Sequence, residues 1–308
     1  MAVVFHPDGI HLLGGGDGGV GRWRLSDGQE VGKQTGMKLR AISVSRDSKW
    51  IVCGTREGGA SVWDAEMHEK VIDVEGARTV YAVDVSPDST RFATGTGLDD
   101  NKVSIWGTAT GKRLVGPLQH DDWVVGTRFS PNGEHIATFC RPGGLVRIFD
   151  SHNGDDLINI KTNASFSQPI TPLAWSKDGQ QIFTTSDDHR IKSFTVSTGS
   201  QLAQSSILDN DYSISLAGNG KFIATVASNC ISFLDSSTLA KIGTAIADTE
   251  RMWSIAVSLD SRRVATGRAD GKIVVHDLGK FLPDSYGPFH VSICPFIALA
   301  YWISTMLY

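Results

Sequence analysis

The sequence predicts an all-β chain: a seven-bladed β-propeller of four-stranded antiparallel blades, with the last blade incomplete or irregular. Three observations predict it. A short turn recurs seven times at a nearly constant period, apolar columns keep register with that turn, and seven such units use up the chain. The turn cores are His6-Pro7-Asp8-Gly9, Ser45-Arg46-Asp47-Ser48, Ser86-Pro87-Asp88-Ser89, Ser130-Pro131-Asn132-Gly133, Ser176-Lys177-Asp178-Gly179, Ala217-Gly218-Asn219-Gly220 and Ser258-Leu259-Asp260-Ser261. Their Asp or Asn residues follow one another at 39, 41, 44, 46, 41 and 41 residues. A fixed period of about 40–45 residues carried by strands alone marks propeller blades.

Each element of the repeat has a local reason. Pro presets φ for the first central position of a β-turn, and Asp, Asn and Gly tolerate the conformations that follow. The innermost strand precedes the turn. Three residues before each Asp or Asn stand Phe5, Val44, Val85, Phe129, Trp175, Leu216 and Val257. Five before it, on the same strand face, stand Val3, Ile42, Val83, Thr127, Leu173, Ile214 and Ile255. The second strand follows the turn and carries Leu12, Ile51, Phe92, Ile136, Ile182, Ile223 and Val264 four residues after it. A third run carries Val20, Ala60, Val103, Val146, Ile191, Ile231 and Ile273. Three residues further on come Trp23, Trp63, Trp106, Phe149, Phe194, Leu234 and His276.

Asp follows this last column at Asp64, Asp150, Asp235 and Asp277. With Val62-Trp63-Asp64, Ile105-Trp106-Gly107 and Ile148-Phe149-Asp150, the chain resembles the WD-repeat β-propeller family over residues 2–278. The resemblance rests on the shared register of turns and columns, not on any one Trp-Asp pair. It implies a docking platform whose ligand is set by variable loops. The family often carries a His before the innermost strand, linked through Ser/Thr and Asp to Trp across the blade. At the matching positions stand Thr35, Gly76, His120, Phe166, Ile207 and Asp248. His120 matches, and its blade has Thr138 and Phe149, but Arg141-Pro142-Gly143-Gly144 replaces the Asp. The blades are therefore expected to hold by apolar packing and strand ladders, with little help from that network.

Length and composition agree. Seven units of about 42 residues account for nearly all 308, which leaves room for one propeller over residues 1–280 and an irregular apolar C-terminal tail over 281–308. The 33 glycines suit a chain rich in tight turns, and no stretch has helical length and periodicity. Net charge is −4 with no run of Lys or Arg, so no nucleic acid is expected as partner. Cys53 and Cys140 fall in second strands and Cys230 in a third strand, as small buried hydrophobes; Cys294 lies in the tail. None has zinc spacing, and disulfides are not expected. The start lacks a basic n-region and a cleavage site, so Asn163-Ala164-Ser165 carries no glycosylation reading. The expected location is cytoplasmic, with the nucleus left open.

The ends depart from the repeat. Residues 2–5 already belong to an innermost strand, where the resembled family closes its ring with an N-terminal outer strand of the last blade. Gly279 to Gly287 reads as loop, and Phe289 to Tyr308 is uncharged and mostly apolar. Three readings compete for that tail: a membrane anchor, a closing strand at 289–293, or the irregular end of a piece of a longer protein. Pro295 and the absence of a basic flank weigh against a membrane span.

Catalysis finds little support. Gly14-Gly15-Gly16-Asp17-Gly18-Gly19-Val20-Gly21 matches a dinucleotide fingerprint, but that motif needs a helix N-terminus after it. Here it joins two strands and reads as a flexible turn. His11, His120, His135, His152, His189 and His276 lack metal-ligand spacing. The pairs Asp121-Asp122 and Asp187-Asp188 read as solvated loop charge. No catalytic residue, cofactor or metal is expected.

The loops entering the innermost strands share one mouth of the channel. Seven residues before the turn Asp or Asn stand Arg40, Tyr81, Val125, Thr171, Tyr212 and Trp253, and nine before stand Lys38, Thr79, Trp123, Pro169, Asn210 and Arg251. The second-to-third-strand turns add Arg56, Arg141 and Arg268. Tyr, Trp and Arg dominate interface hot spots because they bury large area yet satisfy a polar tip. The expected site for a protein or peptide partner is therefore Arg40, Arg56, Tyr81, Trp123, Tyr212, Arg251, Trp253 and Arg268. Trp123 and Trp253 also suit plain packing between blades. The predicted function is a non-enzymatic protein- or peptide-binding scaffold. The alternatives are a ligand-sensing module of a larger nucleotide-binding switch protein and a propeller hydrolase.

Overall fold

The alternating runs pair as antiparallel ladders within each repeat, and successive ladders stand as blades around a channel. The computed structural model describes residues 2–32, 36–66, 69–74, 79–97, 100–162, 172–186, 188–208, 211–287 and 297–298. The blades span residues 2–24, 39–74, 79–119, 123–161, 173–204, 211–247 and 252–277. Strand order within each sheet follows the sequence, as in a meander. Helix among the described residues amounts to two single 3-10 turns, Leu278–Lys280 and Asp284–Tyr286. No helix among them is long and apolar enough to cross a membrane.

The columns read from the sequence meet across the strands. The residue three before each turn Asp or Asn pairs with the residue four after it, from Phe5–Leu12 and Val44–Ile51 to Val257–Val264. That second-strand residue pairs on its other side with the aromatic column, from Leu12–Trp23 and Ile51–Trp63 to Val264–His276. The second-strand and third-strand columns are buried in every blade. Burying such side chains is the main drive for closing the blades, at roughly 1.5–3 kcal/mol each.

Five turns share a clamp that the spacing alone does not reveal. Ser86 Oγ donates to Asp88 Oδ1 at 2.5 Å and accepts from the Arg91 amide at 2.9 Å. Ser45, Ser130, Ser176 and Ser258 repeat this with Asp47, Asn132, Asp178 and Asp260. Blades are tied to their neighbours by side chains that reach backbone groups about one repeat away. Ser43 and Ser215 hydroxyls accept from the amides of Val85 and Val257 at 3.2 Å each. Buried Arg91 donates to the carbonyls of Ser151 and Gly133, both at 2.9 Å. Of the buried polar network expected within a blade, His120 Nε2 meets Thr138 Oγ1 at 3.0 Å, and in the blade spanning 79–119 Trp106 Nε1 donates to Thr94 Oγ1 at 2.9 Å.

The last blade is irregular, as expected. It has three regular strands, Met252–Val257, Arg263–Arg268 and Ile273–Asp277, and its fourth place is taken by the two residues Ile297–Ala298, paired with Ile273 and Val274. A further shortfall lies in the first blade, which among the described residues has three strands and, beyond them, only the pairing of Trp23 with Glu30. The closing strand considered at 289–293 lies outside the described residues.

Two local readings need correction. The Gly-rich stretch does join the second and third strands, but its turn is confined to Asp17-Gly18. Its other glycines end the strand His11–Gly16 and begin the strand Gly19–Arg24, and a Cβ on Gly15 would stand 2.2 Å from the Gly19 carbonyl oxygen and 2.9 Å from Leu39 Cδ2. Gly is required there because backbone and side chain approach too closely for any other residue. The segment after Asp277 is not plain loop either. Leu278 and Leu282 are buried in the core cluster that includes Phe222, Phe233 and Met252. Tyr286 Oη donates to Asp235 Oδ2 at 2.9 Å, and Asn219 Nδ2 donates to the Tyr286 carbonyl at 2.6 Å.

Candidate docking face

The innermost strands run from one mouth of the channel to the clamped turns at the other. Five of them break register near their start. Ladder pairing skips one residue between Leu39 and Ala41, Val80 and Ala82, Val124 and Gly126, Asp211 and Ser213, and Met252 and Ser254. The skipped residues are Arg40, Tyr81, Val125, Tyr212 and Trp253. The column singled out in the sequence is thus a column of β-bulges. A bulge frees one residue from the ladder and re-aims its side chain, which suits a binding surface.

Three consecutive blades join their side chains into one run. The Arg40 guanidinium carbon lies 5.5 Å from the Tyr81 ring centroid. Tyr81 stacks on Trp123 with centroids 5.6 Å apart and planes 19° apart. Arg141 covers Trp123 at 5.3 Å. Trp123 reaches Tyr81 because it opens the strand Trp123–Phe129, where it pairs across the ladder with Arg141. Both rings are half-buried and pack on the core cluster containing Phe139 and Trp175. Trp123 therefore serves as packing between blades and as part of the surface at once. Arg251 sits 4.3 Å from the Trp253 ring on the last blade, a third cation–π pair at the same mouth.

The charges differ between these two parts. Arg268 Nη1 bonds Asp248 Oδ2 at 3.2 Å and Arg268 Nη2 bonds Asp270 Oδ2 at 3.1 Å, so that guanidinium is already committed. Burial lowers the pKa of Arg40, and the nearby charge of Arg56 lowers it further, with Arg141 acting the same way. Arg56 itself is exposed just beyond the strand Trp50–Thr55. Lys38 pairs with Glu57. Tyr212 takes the bulge position of its strand. Thr171 and Pro169 lie outside the described residues.

The channel below this mouth encloses a cavity of about 360 Å³ lined by the innermost strands of all seven blades. The residue four before each turn Asp or Asn faces it: Val4, Ser43, Asp84, Arg128, Ala174, Ser215 and Ala256. Asp84 and Arg128 are the charged members that the sequence reading passed over. Their signal was a polar pair in a column that is otherwise small. Asp84 accepts from Arg128 Nη1 at 3.0 Å and from the Phe129 amide at 2.8 Å. Burial pushes its pKa up while Arg128 pulls it down. The pair ties two blades together and offers no free carboxylate.

A cluster at the opposite mouth has ligand-type atoms. His6, Asp8 and His11 bring theirs within 4.8 Å of one another. Asp8 Oδ2 lies 2.6 Å from His11 Nδ1 and 2.9 Å from His6 Nδ1. Arg22 Nη2 already supplies the positive charge, 2.8 Å from His11 Nδ1 and 3.3 Å from Asp8 Oδ2. In this turn His6 stands where five others have the clamping Ser, so the cluster is a variant of the turn clamp.

Comparison with known proteins agrees with this geometry. The family model described as "WD domain, G-beta repeat" matches residues 69–107 and 161–194. Eukaryotic translation initiation factor 3 subunit I of Scheffersomyces stipitis is 22% identical over 223 residues, 65% of this chain and 63% of that protein. Angio-associated migratory cell protein of Homo sapiens is 27% identical over 194 residues, 62% of this chain and 43% of that protein. The match thus spans less than two thirds of these relatives' own length. Among solved structures, the β-propeller domain of Myceliophteria thermophila Cps50 (Swd1) superposes with TM-score 0.74 at 15% identity, covering 90% of this chain and 96% of that one. Kuenenia stuttgartiensis hydrazine synthase superposes with TM-score 0.76 at 14% identity, covering 90% of this chain and 94% of that one. At such identities the likeness concerns the fold alone.

Proposed function

The chain is a WD-repeat β-propeller, and on that premise we propose that it is a non-enzymatic scaffold that docks a protein or peptide at the bulged mouth of its channel. One observation carries the reading. Bulges at the same place in different blades turn Arg40, Tyr81 and Trp253 out of their ladders toward one opening, and each is braced by a cation–π contact. Bracing matters energetically. A side chain held before binding loses less conformational entropy on docking, at about 0.5–1.5 kcal/mol per immobilised residue. The relatives by name include a subunit of a translation initiation factor, which fits a docking role. A cytoplasmic location goes with this reading.

Affinity capture with the intact protein tests it. Tyr81→Ala and Trp253→Ala should each weaken a captured partner by about thirtyfold, near 2 kcal/mol, without unfolding the ring. If the double variant keeps affinity within about twofold at an unchanged melting curve, the docking face is elsewhere.

A further inference from the structure

Most of the half-buried arginines of this protein have a carboxylate. Arg22 meets Asp8, Arg128 meets Asp84, Arg147 meets Asp156, Arg190 meets Asp188, and Arg268 meets Asp248 and Asp270. Arg40 departs from this rule. No ion pair among the described residues involves Arg40 or Arg56, and the nearest charges that act on Arg40 include two further arginines, Arg56 and Arg141. Asp17 is the carboxylate that favours its charged form, through space and without an ion pair. Arg40 Nε is buried with no hydrogen-bond partner. In a chain of net charge −4, Arg40 thus has further arginines beside it and no ion-pair partner of its own among the described residues.

The rings explain what this arrangement is suited to. Tyr81 has both Arg40 and Trp123 against its ring, and Trp123 is covered in turn by Arg141. Both rings thus already have partners, and a further group to engage is the guanidinium braced against Tyr81. A guanidinium edge matches a carboxylate, which can accept two parallel N–H bonds. Holding the fork in place in advance removes much of the entropy cost of forming that pair.

We propose that Arg40 and Arg56, with Arg141 beside them, form a carboxylate-binding pocket that receives an Asp- or Glu-bearing segment of a protein partner. This rests on the docking reading above and adds the chemistry of the docked segment. Bringing a carboxylate to the pocket relieves the mutual repulsion of the arginines and satisfies the buried Nε. The interaction is electrostatic at its core and weakens with salt.

The test uses an array of ten-residue peptides, random in sequence except for a central Asp, Asn or phosphoserine, probed with the full-length protein. Asp-centred peptides should bind about tenfold or more above Asn-centred ones, as expected when a charge-assisted hydrogen bond is lost. Arg40→Ala should erase that preference. Arg56→Ala should erode it as well, and Arg56 is exposed, so its folding is not at stake. Arg40→Lys keeps the charge without the flat fork and should recover only part of it. Arg24→Ala, which removes a paired surface arginine, should leave the preference intact. Equal binding of Asp and Asn peptides, or a preference unchanged in Arg40→Ala and Arg56→Ala, overturns the proposal. A preference confined to phosphoserine overturns the carboxylate assignment. If the preference is absent while captured partners still depend on Tyr81 and Trp253, the pocket falls and the docking face stands. If partners ignore Tyr81 and Trp253, the docking face falls.

Discussion

Tyr81 and Trp123 enter the ring on adjacent blades, yet their rings lie 5.6 Å apart and nearly parallel, at 19°. Tyr81 is released from its ladder by a bulge, and Trp123 opens the next innermost strand. The stack therefore measures how two blades are set against each other. A double-mutant cycle with Tyr81→Ala and Trp123→Ala should give a coupling near 1 kcal/mol in chemical denaturation. Additive losses would mean that the rings pack independently.

Gly15→Ala should destabilise the ring by about 2 kcal/mol or more. The added methyl meets the Gly19 carbonyl and Leu39 rather than open solvent. Urea melts of this variant beside Gly9→Ala separate the two costs. Gly9 has φ 70° but nothing near its Cβ, so it should lose less, through backbone strain alone.

Arg91→Met should cost about 3 kcal/mol and Arg91→Lys nearly as much. The guanidinium serves the carbonyls of Ser151 and Gly133 and the Ser151 hydroxyl, all at 2.9–3.0 Å, and an ammonium cannot reach them together. Denaturation midpoints check this directly. A midpoint for Arg91→Lys equal to that of the unmodified protein would show that one donor suffices.

Acid should weaken the fold in a window set by His120. Burial lowers its pKa to about 4, from an ordinary value of 6.5. The unfolded chain then binds a proton that the folded chain refuses. Stability is complete above about pH 6.5 and falls as the pH drops from there toward 4, by of order 3 kcal/mol. His6 and His276 are lowered in the same sense, which deepens the loss. His120→Gln should flatten the decline measured in urea between pH 7 and 4.5. An unaltered slope would remove His120 as its source.

A chain ending after residue 287 should be more stable than one ending after 280, by about 3 kcal/mol. Residues 281–287 carry buried Leu282, together with Phe281 and Tyr286 packed on the same cluster. Losing them exposes apolar surface around Phe222 and Met252. Matched denaturant melts of the two chains provide the comparison.

Much of the fold was written in local pattern. Turn residues at fixed intervals specify hairpins, and alternation specifies which face of each strand is buried, so seven blades could be counted without coordinates. The bulge column was visible as residues, Arg40, Tyr81, Tyr212 and Trp253, but not as bulges. A register shift depends on how two strands pair and leaves no mark in either strand alone. The Ser–Asp clamps were half-visible: the residue types recur, while the bond from Ser86 Oγ to Asp88 depends on the turn's conformation.

What the sequence by itself determined is the repeat: strand, turn, strand, hairpin, strand, seven times over. Each part follows from backbone preference and side-chain alternation within a few residues. Tertiary structure alone decided which distant residues meet. Arg40, Tyr81 and Trp123 come from three blades, and Leu282 seals a core built around Phe222. Asp84 finds Arg128 across a blade boundary, 44 positions away. These contacts depend on the angle and spacing between neighbouring blades. That geometry is set by the summed packing of both faces of every sheet, which no single stretch of sequence contains.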